Sequence, residues 1–217
     1  MKRKLILMCV AGVLVMTAII GGTLAGFNTS TESKGVTNIT VKELGITMVG
    51  TGTEANQQAD SIGKGATPGG EVALQHSVTN NVEGGYSLYT RVTIDKKWND
   101  ESLDPAKIRL YVEDKETNTK KELLAGTTVN YWIVWYADDE QVIMYYTKPL
   151  AQGASSSNLI DAVSFDAQMD NSYAGKSAEI SFSADAVQQI AAEDSIPSEW
   201  GVYPTIDANG VITSIEE

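Results

Sequence analysis

Val129-Asn130-Tyr131-Trp132-Ile133-Val134-Trp135-Tyr136, then Ala137-Asp138-Asp139-Glu140, then Gln141-Val142-Ile143-Met144-Tyr145-Tyr146-Thr147: this stretch decides the fold class. Both flanks are crowded with β-branched and aromatic side chains, which fit a pleated, half-buried surface. The four residues between them are short and mostly acidic, as suits a tight reversal. Two strands joined by such a link read as a β-hairpin.

The same two-residue period recurs on either side. Val72, Leu74, His76 and Val78 alternate on one face; a turn follows over residues 80–85, and Leu88, Val92 and Ile94 point inward from a second strand, a pattern that predicts another hairpin. Ile108, Leu110 and Val112 alternate next, and residues 113–121 read as a charged connection. Residues 159–165 and 178–184 add two strands, with Ile180 and Phe182 on one face of the second. Short strands at near-regular spacing, without strong helical periodicity between them, predict an all-β fold of the β-sandwich or jelly-roll kind with short peripheral helical turns. Beyond Gln188, Ala191-Ala192-Glu193 suggests a helical turn, and Asn209-Gly210 the tip of a peripheral hairpin between Val202 and Ile215.

Toward the N-terminus, Ile39/Val41 and Leu44/Ile46/Met48 form two alternating runs offset by one residue, the signature of a strand with a bulge near Lys42-Glu43. Residues 50–70 combine repeated glycines and Pro68 with small polar side chains and read as a flexible loop. Earlier still, Lys2-Arg3-Lys4 precedes an apolar run over residues 5–20, Gly21-Gly22 breaks it, and Thr23 and Ala25 place small side chains at the −3 and −1 positions of a cleavage site. The expectation is a signal peptide, residues 1–25, cut after Ala25 so that the mature chain begins at Gly26. An uncleaved anchor is the alternative, although the apolar run falls just short of a spanning helix. Cys9, the only cysteine, lies in that run behind Met8, where lipid-modified cysteines follow a small residue. The expected divisions are therefore 1–25, an N-terminal strand over 26–49, a loop over 50–70, a sandwich body over 71–190 and an extension over 191–217. The 217 residues contain no Leu-Pro-x-Thr-Gly wall-sorting sequence.

Charge narrows the function. The chain has 16 basic and 28 acidic residues, a net charge of −12; cleavage would remove three of the basic and none of the acidic ones, moving it to −15. Binding a polyanion needs clustered Lys and Arg, so nucleic acid is set aside, and membrane contact is expected only before cleavage. Without Cys9 no disulfide can form, and stability has to come from packing.

Several motifs carry a family resemblance. Gly21-Gly22-Thr23-Leu24-Ala25-Gly26-Phe27 resembles the signal-peptide end of substrates of the SipW-type signal peptidase, in the TasA/camelysin family. Further matches are Thr67-Pro68-Gly69, Val78-Thr79-Asn80 and Tyr89-Thr90-Arg91-Val92. The most specific are Tyr145-Tyr146-Thr147-Lys148-Pro149-Leu150 with Gly153, Tyr173-Ala174-Gly175-Lys176, and Ala184-Asp185-Ala186-Val187-Gln188. They run from residue 21 to 188 in family order. Two departures stand out: Asn28-Thr29 where members commonly carry an acid, and Lys42 where they carry a glycine. The resemblance implies a jelly roll, export to the extracellular matrix or surface of a Gram-positive cell, processing by a SipW-type peptidase, and head-to-tail self-assembly into biofilm-matrix fibres. In TasA-like members the mature N-terminal strand is donated to a neighbour. Carried onto this chain, the donor segment is 26–49, with Ile39, Val41, Leu44 and Ile46 filling alternate pockets of the neighbour. The alternative is an ordinary edge strand of its own domain.

Because camelysin is described as a metalloprotease, a camelysin-like metalloendopeptidase is a second expectation to weigh. Zinc hydrolases use about three protein ligands, usually with two histidines. His76 is the only histidine, and there is no His-Glu-x-x-His. On a strand face with Leu74 and Val78 it reads as a buried or interface side chain. A serine triad would need the same histidine, and no Gly-x-Ser-x-Gly is present. Asp138-Asp139-Glu140 offers oxygen ligands for Ca²⁺ but also suits a solvated turn. Arg91, opposite in phase to Val92, reads as an exposed pairing residue. Trp132, Trp135, Tyr145 and Tyr146 would stack on sugars in a carbohydrate-binding or adhesion module, or pack as core. No catalytic residue, metal or cofactor is assigned; the partners expected are further copies of the chain, the signal peptidase, and other matrix proteins or polysaccharide.

Overall fold

The computed structural model describes residues 29–33, 38–40, 46–52 and 66–217. In chain order its strands are β1 (Thr29–Ser33), β2 (Asn38–Thr40), β3 (Ile46–Gly52), β4 (Glu71–Asn80), β5 (Leu88–Trp98), β6 (Ile108–Asp114), β7 (Thr119–Glu122), β8 (Thr128–Val129), β9 (Trp132–Ala137), β10 (Gln141–Tyr146), β11 (Ile160–Phe165), β12 (Ala178–Gln188), β13 (Tyr203–Ile206) and β14 (Ile212–Glu216); α1 spans Ala192–Trp200. The protein is all-β. One six-stranded sheet has the order β1-β12-β5-β10-β9-β8, a second β2-β3-β4-β11-β6-β7, and β13-β14 form a small third.

The two large sheets share one core. Val72, Leu74 and Val78 of β4, Ile108, Leu110 and Val112 of β6, and Val163 and Phe165 of β11 meet Val92 and Ile94 of β5, Val142 and Met144 of β10, and Ile180 and Phe182 of β12. The alternation along β4 and β6 is what a strand with one buried face requires. The hairpin expected at 129–147 is present: β9 pairs antiparallel with β10, and its register shifts between Ile143 and Met144, a β-bulge. Before it, β8 and β9 reverse over Asn130 and Tyr131, which stand at φ 49° and 69°. Two positive φ values in a two-residue loop are the type I′ geometry that matches the twist of the strands. The Asn130 side chain holds the turn by donating to the Glu113 carbonyl (2.7 Å) and accepting from the Lys115 amide (3.0 Å).

Three expectations are corrected. β4 and β5 are not a hairpin: β4 lies between β3 and β11, while β5 lies between β12 and β10 in the other sheet. Each central strand already has two partners, so residues 81–87 cross between sheets. The fully buried Asn80 organises that crossing, donating through Nδ2 to the carbonyls of Tyr86 (2.8 Å) and Leu150 (2.7 Å) and accepting from the Val82 amide (2.9 Å). Residues 113–121 are not merely a connection, since β6 runs to Asp114 and β7 pairs back on it from Thr119. Lastly, in place of one bulged strand over 39–48, β2 and β3 are separate strands paired with each other, Ile39 opposite Met48. The one-residue offset in the sequence marks a reversal of direction, and β3 continues to Gly52, into the segment read as a loop.

Residues 192–216 cover the outer face of the first sheet. Ala192, Ile196 and Trp200 of α1, with Val202 and Ile212, enclose Tyr89, Tyr145 and Val187 in a second core. Gly201, at φ 69°, ends α1 in the left-handed conformation that glycine adopts without strain. The Tyr89 hydroxyl donates to the Gly210 carbonyl (2.6 Å) and the Ile212 amide to that of Thr147 (2.8 Å), tying the β13–β14 hairpin down.

Candidate assembly site at the sheet edges

The N-terminal strands occupy the outer edge of both sheets on one side of the molecule. β1 lies antiparallel on β12, from Thr29 opposite Ala186 to Ser33 opposite Phe182. β3 lies on β4, from Ile46 opposite Asn80 to Gly52 opposite Leu74, and β2 closes that edge. Beneath β1 and β3 are the two long body strands, β12 with 11 residues and β4 with 10. Of the assembly residues expected from sequence, Ile39 lies in β2 and Ile46 in β3, while Val41 and Leu44, like Ala25 and Gly26, fall outside the described residues.

The opposite edges are unsuited to pairing. β8 is two residues long, and β9 behind it carries the bulge. β7 is Thr-Lys-Lys-Glu, with Lys120 on Glu71 and Lys121 on Asp114 (2.6 Å). Short, bulged and lysine-bearing edges resist the addition of a further strand. Long backbone edges capable of accepting one therefore sit only where the N-terminal strands lie, among the described residues.

His76 sits at this seam. Its imidazole stacks on the Phe182 ring of the other sheet, centroids 4.1 Å apart and planes 17° from parallel. Register places Gly50 of β3 opposite His76 and Ser33 of β1 opposite Phe182. His76 is 4% exposed, its Nδ1 has no hydrogen-bond partner among the described residues, and burial lowers its pKa from 6.5 to about 4. The sole imidazole is packed as a core side chain between sheets. No group of three or more His, Cys, Asp or Glu side chains placed to hold a metal occurs among the described residues.

The remaining candidates are distributed, not convergent. Arg91 is not the exposed pairing residue expected: its Nη2 and Nε reach Asp185 Oδ2 at 2.6 and 3.0 Å, and its guanidinium lies 5.5 Å from the Trp200 ring centre. Burial by the C-terminal extension explains the difference. Trp132, Tyr145 and Tyr146 are buried, and the half-buried Trp135 meets Tyr145 edge-on, so the four form no sugar-stacking platform. Asp138 spends its carboxylate on its own turn, accepting from the amides of Glu140 (2.8 Å) and Gln141 (2.7 Å) and from the Tyr136 hydroxyl (2.5 Å).

Sequence reading missed Lys96. It is 8% exposed, donates through Nζ across the sandwich to the Ile108 carbonyl (2.8 Å), and has a pKa lowered by burial against the pull of nearby acids, chiefly Asp139. Its place in the inward phase Val92-x-Ile94-x-Lys96-x-Trp98 was the available signal. Lys96 lines an open cleft of about 570 Å³ with Trp98, Leu103 and Glu179.

These features define a class: an all-β protein of two packed sheets, with its N-terminal strands laid along the only long edges among the described residues. No family model matches the chain, and no curated protein matches it. Among the described residues no helix is long and apolar enough to cross a membrane.

Proposed function

We propose that this is a secreted structural protein of the extracellular matrix, with a jelly-roll fold, that assembles head to tail into fibres by donating its N-terminal segment to the next copy after removal of residues 1–25. The observation that carries the reading is the placement of β1 on β12 and of β3, with β2 beside it, on β4, while the far edges are short, bulged or lysine-bearing. A segment that closes its own edges can close the same edges of another copy through the same backbone hydrogen bonds. Donor and acceptor surfaces differ, so such exchange propagates as an open filament. The resemblance of residues 21–188 to the TasA/camelysin family supports the same reading, and a chain that is acidic and, once residues 1–25 are removed, free of cysteine suits an exported one.

Deleting residues 26–40 from the mature chain removes β1 and β2 and is expected to leave a folded monomer that forms no filaments alone. Mixed at low ratio with the intact chain it should shorten filaments, because its β12 can accept a β1 strand but it has no β1 of its own to pass on. Negative-stain microscopy with circular dichroism reads both results. An unfolded truncation, or one that forms filaments of ordinary length, would show that exchange through this segment is the wrong mechanism.

A further inference from the structure

We infer that His76 is an acid-sensitive latch on the N-terminal strands: its protonation releases β1 and β3 from the body, so that mild acid frees the segment for exchange. The geometry is that of a bolt across the seam. His76 belongs to β4 and Phe182 to β12, the two body strands on which β3 and β1 rest, and their rings stack where Gly50 and Ser33 close the edges. A neutral imidazole is tolerated there, but an imidazolium would be desolvated against a phenyl ring at the edge of an apolar core. Lifting the strands brings the pair to the surface, where a charged imidazole is hydrated.

Among the described residues no charge nearby takes over this role. β2 and β3 carry no ionisable side chain, and β1 carries only Glu32, opposite Ser183. Asp161 of β11 accepts from Asn158, Gln75 and the Glu113 amide. On β12, Asp185 is held by Arg91 and Glu179 by Lys97. On β5, Asp95 accepts from Gln141 and Lys96 bonds the Ile108 carbonyl. Besides His76, β4 has only Glu71, which pairs with Lys120. Among the described residues, burial is the cause that acts on the imidazole.

The closed state holds His76 neutral down to about pH 4, whereas a hydrated imidazole titrates near 6.5. Closure is therefore at full strength above pH 6.5 and weakens as pH falls from there toward 4. Between pH 7 and pH 5 the opening equilibrium should rise on the order of twentyfold.

The inference concerns the regulation of the segment proposed above for exchange, and its test separates the two. Hydrogen exchange of residues 29–33 and 46–52, corrected for intrinsic rates, is compared at pH 7 and pH 5 in the chain beginning at Gly26 and in its His76→Phe variant, with tryptophan fluorescence reporting global unfolding. The intact chain should open more at pH 5, with fluorescence unchanged, and the variant, whose ring keeps the stack but cannot titrate, should not respond. An equal response in both, or none in the intact chain, overturns the latch. Should the variant not fold, the NMR titration of the sole imidazole decides: a midpoint below pH 5 supports the latch and one near 6.5 overturns it. If the strands open in acid but filaments never form, the latch stands and strand exchange falls.

Discussion

Replacing Asn80 by alanine is expected to cost about 3 kcal/mol and to lower the melting temperature by roughly 6–12 °C. Asn80 is fully buried, and its amide satisfies two carbonyls and one amide of the crossing between sheets. Alanine leaves the Val82 amide and the part-buried Tyr86 carbonyl without these partners, while the Leu150 carbonyl keeps the bond from the Leu88 amide, and each group so stranded carries a penalty of about 1–3 kcal/mol when it cannot relax. Asn80→Asp should be worse at pH 7, because a carboxylate would face the oxygens of Tyr86 and Leu150, both acceptors. Lowering the pH should recover part of that loss relative to the unmodified chain, since a protonated acid can donate to one of them. Thermal unfolding of the three proteins at pH 7 and pH 5 measures both effects. An alanine variant that melts within about 2 °C of the parent would mean that the loop re-forms around other bonds.

The second large effect is expected at Asp185. Its side chain is 7% exposed and faces an Arg91 side chain that is 24% exposed. Removing the acid strands a guanidinium beneath α1. A fully buried pair broken in this way costs about 3–5 kcal/mol, and the partial exposure of Arg91 reduces the expectation to about 2–3 kcal/mol. The damage should begin in the C-terminal extension, because Trp200 lies over the same guanidinium. Asp185→Ala should therefore raise hydrogen exchange in residues 192–200 before it affects β5 and β10. Replacing Arg91 and Asp185 together by leucine should recover much of the loss, since no charge is then left unpaired. Urea unfolding of Arg91→Leu, Asp185→Leu and the double variant closes the cycle, and an Asp185→Ala variant within about 0.5 kcal/mol of the parent would contradict the role assigned to the pair.

The residues that were legible from sequence are those whose neighbours are local. The β9–β10 hairpin could be read because its strands are joined by three residues and share a dense β-branched and aromatic composition. β4 and β5 were read with the correct inward faces, but their alternation says only which side chains are buried, not which strand lies alongside. Both strands satisfy the same two-residue period whether they pair with each other or stand in opposite sheets. The partners that decide the matter, β11 and β12, are far along the chain. Arg91 was misplaced for the same reason: the cover over it is supplied by Trp200, and a strand face that looks polar toward solvent becomes interior once an extension folds across it. His76 was legible as a core residue from its phase with Leu74 and Val78. Its position on the seam was not, because that depends on Phe182 and on two N-terminal strands whose register no local pattern encodes.

The pairing of β1 with β12 fixes an order of events in time. Thr29 is among the first described residues to be synthesised, yet it lies opposite Ala186, and nearly the whole body of the protein is made between them. Until β12 exists, β1 has no partner strand within its own molecule, and closing so long a loop comes late because its entropy must be overcome before any contact rewards it. Every newly made copy thus passes through an interval in which the body is forming and the first strand is still unclaimed. Under the exchange proposed above, that interval is when the strand is free to meet the β12 of another copy.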